Sequence, residues 1–211
     1  MENDTPNKIK ISKEIIATLP IETFPGKIVV IDNERDADNA VLQLNNERII
    51  GFDTETRPTF KKGKSNHVAL IQLSTHDTCY LFRINRIGFT PAIKNLLENE
   101  SLLKVGLSLK DDFCMLSRLN GGQFIPRNFI ELQKFVKKYN IEDQSLQKIY
   151  GIVIGKKISK GQRLSNWEAD HLTENQQLYA ATDAWSCIKI YEVLKSGKFK
   201  SPIYKIQPSS L

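Results

Sequence analysis

Apolar residues recur along the chain in two spacings, and these spacings predict its secondary structure. Short runs of apolar and β-branched residues predict strands, at 27–31, 48–54, 68–74, 78–82, 102–107 and 129–132. Apolar residues three or four positions apart predict amphipathic helices between and after the strands. These helices are expected at 12–19, 34–46, 91–98, 110–119, 133–139, 145–150 and 173–196.

The order of the elements indicates an α/β protein. Three strands follow one another as a meander, and the later strands alternate with helices as in crossover units. We therefore expect one mixed sheet with helices packed on it. With 211 residues the chain can bury one sizeable core, which we assign to 27–197. A loosely attached lead at 1–26 and a tail at 198–211 would flank this domain.

The composition of the chain indicates its cellular compartment. The chain is 40% apolar and 26% charged, as is ordinary for a soluble globular protein. It has no apolar run of about 18 residues, so no membrane span is expected. The polar start lacks the apolar core of a signal peptide, which predicts a cytoplasmic location. Cys79, Cys114 and Cys187 form no paired motif and are expected to be buried, reduced thiols.

A net charge of +6 and a pI near 9.1 suit a polyanionic partner, although many enzymes of small molecules share such values. Two basic clusters lie beside residues of chemical interest. One comprises Lys61, Lys62 and Lys64, and the other includes Lys160 and Arg163. A basic loop beside an acidic site is where a phosphate backbone would be gripped. Read singly, each cluster is most often a solvated face, and for the first cluster a solvated connection is an equal alternative.

The strand predicted at 48–54 runs into two acids, Asp53 and Glu55. Side chains two positions apart on a strand point the same way, so both carboxylates face one site. Two such carboxylates repel each other unless they are protonated or bridged by a cation. Hard oxygen ligands of this kind suit Mg²⁺ or Mn²⁺. The alternative is a strand end that carries two solvated acids.

Two later segments carry further acids. Asp111 and Asp112 follow the strand at 102–107, where they would either join a site at the strand ends or stabilise a helix N-terminus. Tyr179 and Asp183 are four residues apart on the last helix and share one of its faces. An acid on a buried helix face is costly unless it is paired or bound to metal. An Asp on the helix surface is the alternative.

Together these segments resemble the DEDD superfamily of 3′–5′ exonucleases, in its tyrosine subclass. Asp53-x-Glu55, the acid six residues after Gly106, and Tyr179-x3-Asp183 match its three motifs in order and spacing. This spacing selects Asp112 over Asp111. The segments 163–167 and 172–184 are most similar to the ribonuclease D and Werner-type exonuclease branch, although His171 stands where that family commonly has Pro.

The resemblance implies a ribonuclease H-like fold with a mixed five-stranded sheet flanked by helices. It also implies hydrolysis of phosphodiester bonds from the 3′ end of DNA or RNA, with release of nucleoside 5′-monophosphates. Asp53, Glu55, Asp112 and Asp183 would hold two divalent cations, Mg²⁺ or Mn²⁺. Tyr179 would orient the attacking water. A catalytically silent nucleic-acid-binding module with the same fold is the rival interpretation.

The resemblance further suggests where the substrate lies. Thr54 and Thr56 occupy positions at which relatives contact the terminal nucleotide, and Ser108 stands where many relatives carry Asn. Arg163, together with the lysines, would hold the phosphates upstream. Trp167 would either stack on a base or anchor its own loop.

Overall fold

The computed structural model describes residues 8–57 and 67–201, and its helices are arranged around one six-stranded sheet. The strands are β1 (Lys27–Ile31), β2 (Ile49–Thr56), β3 (Val68–Ser74), β4 (Thr78–Phe82), β5 (Leu103–Gly106) and β6 (Phe129–Glu131). They lie side by side in the order β1-β4-β3-β2-β5-β6. β3 runs antiparallel to its neighbours β2 and β4, whereas the pairs β1–β4, β2–β5 and β5–β6 are parallel.

The sheet has one strand more than the five that the resemblance implied, so that count was wrong. Both outer strands pair properly with their neighbours. β1 pairs with β4 along its whole length, from Lys27 opposite Thr78 to Ile31 opposite Phe82. At the other edge β6 pairs with β5 over three residues. The apolar runs in the sequence had predicted all six of these strands.

The helices are α1 (Lys13–Thr18), α2 (Glu34–Leu44), α3 (Ile84–Ile87), α4 (Pro91–Glu98), α5 (Leu109–Leu119), α6 (Leu132–Phe135), α7 (Leu146–Ile154) and α8 (Glu174–Lys195). The helix expected at 133–139 is divided into α6 and a 3-10 helix, Val136–Tyr139. α3 was not predicted, because four residues are too few to show a helical period. None of the helices in the described residues is both long and apolar enough to cross a bilayer.

Apolar side chains fill both sides of the sheet. Phe52 and Leu116 belong to a buried cluster that includes residues of α2, α4 and α5. Val105 and Ile190 belong to a second cluster, built largely from α1, α7 and α8. Cys79 and Cys187 are buried, as expected, but Cys114 is exposed on α5, so the expectation of three buried thiols was wrong.

Gly51 allows α8 to lie unusually close to β2. A Cβ atom at this position would lie 1.9 Å from the carbonyl oxygen of Ala184, which no real side chain tolerates. The absent side chain therefore lets the helix backbone approach the strand backbone. As a result, the end of β2 lies beside Asp183, the residue of α8 that precedes Ala184.

The described part of the lead packs against the domain, so the expectation of loose attachment was wrong. Its apolar side chains are buried, namely Ile9, Ile11, Ile16, Leu19 and Phe24. Glu22 accepts hydrogen bonds from Tyr150 at 2.5 Å, Lys156 at 2.8 Å and Lys189 at 3.0 Å. Although burial opposes them, these bonds lower the pKa of Glu22 to about 2. The domain boundaries at 26 and 197 stay a prediction.

Candidate active site

Three acids meet where β2 and α8 lie closest together. Asp53 and Glu55 point to the same side of β2, as their spacing predicted, and Asp183 approaches from α8. One carboxylate oxygen from each of the three lies within 4.8 Å of the other two. Carboxylates this close repel one another, and a divalent cation would compensate that repulsion. Their hard oxygen donors fit such an ion.

The pKa values of these acids show how strongly the cluster disfavours negative charge. Burial, together with the charges of Glu55, Asp183 and Asp112, raises the pKa of Asp53 well above its usual value. Burial, with Asp183 and Asp112, raises the pKa of Glu55 to about 9. Burial also raises the pKa of Asp183 to about 7. The cluster therefore retains protons near neutral pH unless a cation replaces them.

Asp112 belongs to the same site but stands slightly apart. It lies in the first turn of α5, outside the group of three acids whose oxygens approach one another. The hydroxyl of Thr54 donates a hydrogen bond of 2.5 Å to its Oδ1. Burial raises the pKa of Asp112 to about 6, while the bond from Thr54 acts in the opposite direction. Its charge in turn raises the pKa of Asp53, so the four acids are electrostatically one group.

Glu131, which the sequence reasoning missed, fixes the start of the helix that carries Asp112. Its carboxylate accepts hydrogen bonds from the backbone N–H groups of Ser108 at 3.0 Å and Leu109 at 2.7 Å. These are donors that a helix N-terminus leaves without partners. Ser108 has a left-handed φ of 62° and makes no side-chain cap of its own. The sequence offered one signal for this role, namely an acid at the end of β6, the strand that neighbours β5.

Tyr179 presents its hydroxyl to the acids. It shares a face of α8 with Asp183, as predicted, and both side chains line the same cleft. Burial and the nearby charges of Asp183 and Glu55 raise the pKa of Tyr179 above its usual range. The hydroxyl therefore stays protonated, so it can donate a hydrogen bond and orient a water but cannot act as a base.

Trp167 lies behind Tyr179 rather than in the open site. Its side chain is 0% exposed, and the two ring centroids are 6.0 Å apart. A base cannot stack on a ring that has no open face, so the substrate contact expected at Trp167 was wrong. The alternative holds, in which the indole anchors its loop and supports Tyr179.

The site opens into a cleft of about 890 Å³. Predicted site residues that line it are Asp53, Ser108, Asp112, Arg163, Tyr179 and Asp183. Arg163 and Lys160 also line the cleft, and their charges partly offset the raised pKa values of Glu55 and Asp183, respectively. The cleft thus combines carboxylates that can hold metal with cations that can pair with phosphate.

The other substrate contacts expected from the sequence are at Thr54, Thr56, Ser108 and the lysine cluster. Ser108 Oγ already accepts a hydrogen bond of 2.8 Å from Gln133, so its hydroxyl is partly engaged. Thr56 lies at the end of β2, just after a register shift that follows Glu55. A substrate contact at either residue, or at Thr54, stays a prediction. The cluster of Lys61, Lys62 and Lys64 lies outside the described residues.

Comparison with known proteins identifies the family. The model of a family described as 3′–5′ exonuclease matches residues 28–197. The chain belongs to this 3′–5′ exonuclease family. Exonucleases of this type use divalent metal ions and act on nucleic acid, and the three-acid cluster supplies suitable metal donors.

Two relatives of this chain are longer than it. The bifunctional 3′–5′ exonuclease/ATP-dependent helicase WRN of Mus musculus is 34% identical over 208 residues, which cover 90% of this chain and 14% of that protein. A 3′–5′ exonuclease of Arabidopsis thaliana is 27% identical over 192 residues, covering 83% of this chain and 66% of that protein. The chain therefore spans less than two thirds of the length of either relative.

Solved structures share the fold. The EXO domain of Nibbler from Aedes aegypti superposes with a TM-score of 0.75 at 23% identity, covering 88% of this chain and 94% of that chain. RNase D of Trypanosoma brucei in complex with RNA U12 gives 0.73 at 20% identity, covering 85% and 65% respectively. These likenesses confirm the expected ribonuclease H-like α/β fold.

Proposed function

We propose that this chain is a metal-dependent 3′–5′ exonuclease that hydrolyses phosphodiester bonds at a free 3′ end of DNA or RNA. Its products would be nucleoside 5′-monophosphates. The observation that carries the proposal is the meeting of Asp53, Glu55 and Asp183, with Asp112 and Tyr179, beside one cleft. Membership of the 3′–5′ exonuclease family supports the same reaction.

The four acids are the ligands proposed for two divalent cations, Mg²⁺ or Mn²⁺. Asp53 is the best candidate to contact both ions, because each of the other three acids contributes to its raised pKa. Bound divalent cations lower the pKa of water and stabilise a leaving oxygen. The crowding of oxygen donors supports this assignment, since four converging carboxylates need positive charge to offset their repulsion.

The remaining side chains would position the reacting groups. Tyr179, whose hydroxyl stays protonated, would orient the attacking water beside Asp183. Arg163 and Lys160, whose charges already reach the acids, would pair with phosphates of the bound strand. Thr54 and Thr56 would contact the terminal nucleotide from the end of β2.

Degradation of labelled oligonucleotides tests the proposal. The substrates are 5′-labelled DNA and RNA, single-stranded or with a recessed 3′ end, incubated with Mg²⁺, Mn²⁺ or EDTA. We expect a ladder that shortens from the 3′ end and disappears in EDTA and in Asp53→Ala. Asp112→Asn removes a proposed ligand and should cost at least as much as the loss of an outer-shell partner, so cleavage should slow about 100-fold or more. Asp111→Asn is its matched control, because this neighbouring acid also lines the cleft but is exposed and is not a proposed metal ligand, so the variant should retain most of the activity.

The rival function, a silent nucleic-acid-binding module, has a different signature in the same assay. It would retard oligonucleotides in a gel without producing a ladder under any metal condition, and that result would overturn the exonuclease proposal. A decayed site should have lost at least one of the four acids or the tyrosine, and all five are present. The cytoplasmic location expected from the sequence stays a prediction.

A further inference from the structure

A second depression adjoins the catalytic cleft. It has a volume of about 580 Å³ and lies between α1 and the start of α7. Its wall shares four residues with the wall of the cleft, namely Gln147, Ile158, Ser159 and Lys160. These shared residues place the two depressions side by side. We call this depression the lysine groove, after Lys13, Lys148, Lys157 and Lys160, which line it.

The lysine groove is strongly cationic. Four lysines line it, and the described residues of its wall include no carboxylate. Lys148 is ion-paired, with its ammonium 2.7 Å from Asp143. Within the described ranges, no carboxylate oxygen lies within 4 Å of the ammonium groups of Lys13, Lys157 or Lys160. Positive charge therefore continues outward from the catalytic acids, beginning at Lys160, whose charge reaches Asp183.

Two further depressions border the cleft. One meets it at Ser159 and Tyr179, and no lysine or arginine is among the described residues that line it. The other meets it at Gln144 and is lined by Lys8, Lys10 and Lys137. Lys8 and Lys10 are ion-paired with Glu142, at 2.6 and 2.7 Å. A phosphate would have to compete with that carboxylate for them. Among the described residues, Lys137 is the one lysine in the wall of the depression at Gln144 without a carboxylate partner. The lysine groove has three, namely Lys13, Lys157 and Lys160, of which Lys157 donates a hydrogen bond to the carbonyl oxygen of Ala17. The lysine groove therefore offers more positive charge to a phosphate.

The wall of the lysine groove also offers apolar surface between its cations. Ile21, which follows α1, lines the groove and is 63% exposed, and Ala17 of α1 lines the same groove. Cations that follow a backbone, combined with surface for base faces, are what proteins present to single-stranded nucleic acid. The wall is held in place by backbone hydrogen bonds, from Lys157 N–H to Pro20 O at 2.9 Å and from Glu22 N–H to Lys157 O at 2.8 Å.

We propose that the lysine groove binds the sugar–phosphate backbone of a single strand upstream of its 3′ end, while that end lies among the acids of the cleft. This inference rests on the proposed function. It gives the N-terminal segment a role in substrate binding, because Lys13 and Ile21 both belong to that segment. A strand long enough to occupy both depressions binds more tightly than one confined to the cleft.

Charge reversal at Lys13 tests the groove. Lys13 is the first residue of α1 and is exposed, and an acid at a helix N-terminus is favourable, so Lys13→Glu should preserve the fold. Arg35→Glu is the matched control. Arg35 is exposed in the first turn of α2, so the same change of charge is made at the same kind of position. α2 packs with β1 and α4, away from the groove.

Binding is measured by fluorescence anisotropy with a labelled single-stranded 12-mer and a trinucleotide, in EDTA, over a series of salt concentrations. Lys13→Glu should weaken binding of the 12-mer about fivefold or more, and weaken binding of the trinucleotide less. It should also reduce the slope of log K against log salt by about 0.7, the value of one phosphate contact on a single strand. Arg35→Glu should leave the slope unchanged.

The outcomes separate this inference from the proposed function. Equal binding of the 12-mer by Lys13→Glu and Arg35→Glu, in a protein that degrades it, would overturn the groove and leave the exonuclease standing. A groove-dependent loss of binding in a protein that produces no ladder would support the groove and overturn the exonuclease. A wild-type protein that degrades the 12-mer in Mg²⁺ but does not bind it in EDTA would overturn the groove and leave the exonuclease standing.

Discussion

Gln72 lies directly opposite Asp53 in the antiparallel ladder between β2 and β3. It is 0% exposed, and neither the nitrogen nor the oxygen of its amide has a hydrogen-bond partner among the described residues. Opposed side chains in such a ladder lie on the same face of the sheet, so this amide lies beneath the acid cluster. A buried polar group without a partner costs about 1–3 kcal/mol. The strand next to the site therefore carries a group that opposes folding.

Replacing this amide should stabilise the protein. Gln72→Leu keeps a similar volume and removes the unpartnered atoms, so the free energy of unfolding in EDTA should rise by about 1 kcal/mol. Urea denaturation followed by circular dichroism measures the change. Gln176→Leu is the matched control, because this buried amide is bonded to Thr173 at 3.0 Å and to Asn166 at 3.3 Å. That variant should lose about 1–3 kcal/mol. If Gln72→Leu were destabilised as Gln176→Leu should be, that result would contradict the assignment of Gln72 as an amide without hydrogen-bond partners.

The same strand shows what the sequence can predict. The run at 68–74 is almost wholly apolar, and it forms β3 with those bounds because every one of its residues is buried. Patterns within a few residues also predicted the capping box of α8 and the shared face of Tyr179 and Asp183. These features depend on residues that are close in sequence, so they can be predicted from the sequence alone.

Contacts between distant segments were not predictable in this way. Thr54 and Asp112 are 58 residues apart, and Glu131 reaches the backbone of Ser108 across 23 residues. No local spacing reports such a pair. The depth of Trp167 depends similarly on how its loop packs against α8. The resemblance identified which residues belong to the site, whereas the hydrogen bonds that position them come from the tertiary structure.

In EDTA, the acid cluster should make the protein less stable as the pH rises. Unfolded Asp and Glu titrate near 3.9 and 4.3, whereas the folded pKa values of Asp112, Asp183 and Glu55 are about 6, about 7 and about 9. Between these limits the folded state binds more protons, so the free energy of unfolding falls as the pH increases. The melting temperature should therefore decline from pH 6 to pH 9.

Two comparisons isolate the cluster as the cause of this decline. Mn²⁺ or Mg²⁺ should flatten it, because a bound cation replaces the protons and is bound more tightly as they leave. Asp53→Asn removes one charge from the group and should show a shallower decline in EDTA. A melting temperature that is constant from pH 6 to pH 9 in the wild-type protein would contradict the raised pKa values.

The bond between Thr54 and Asp112 predicts a pH-dependent defect. This bond acts to lower the pKa of Asp112, so Thr54→Val should raise that pKa further. Asp112 must be ionised to act as the proposed metal ligand. At pH 6 and a subsaturating Mg²⁺ concentration, where protons compete with the metal, cleavage should therefore fall by about tenfold, since a bond to a charged group contributes about 1.5–3 kcal/mol. The defect should be smaller at pH 8. Thr54→Ser keeps the hydroxyl and should restore the wild-type profile, whereas an equal loss at every pH would exclude this role.

Removal of the Tyr179 hydroxyl should lower the rate across the whole working pH range. Tyr179→Phe keeps the ring against Trp167, so the fold should persist, and loss of one positioned donor should reduce kcat about 100-fold. Because the pKa of Tyr179 lies above its usual range, the hydroxyl does not titrate in the working range. Tyr191→Phe is the matched control on the same helix, since Tyr191 packs against Phe135 with ring centroids 5.2 Å apart, and it should be fully active. A defect in Tyr179→Phe that appears only at high pH would instead identify the hydroxyl as a base.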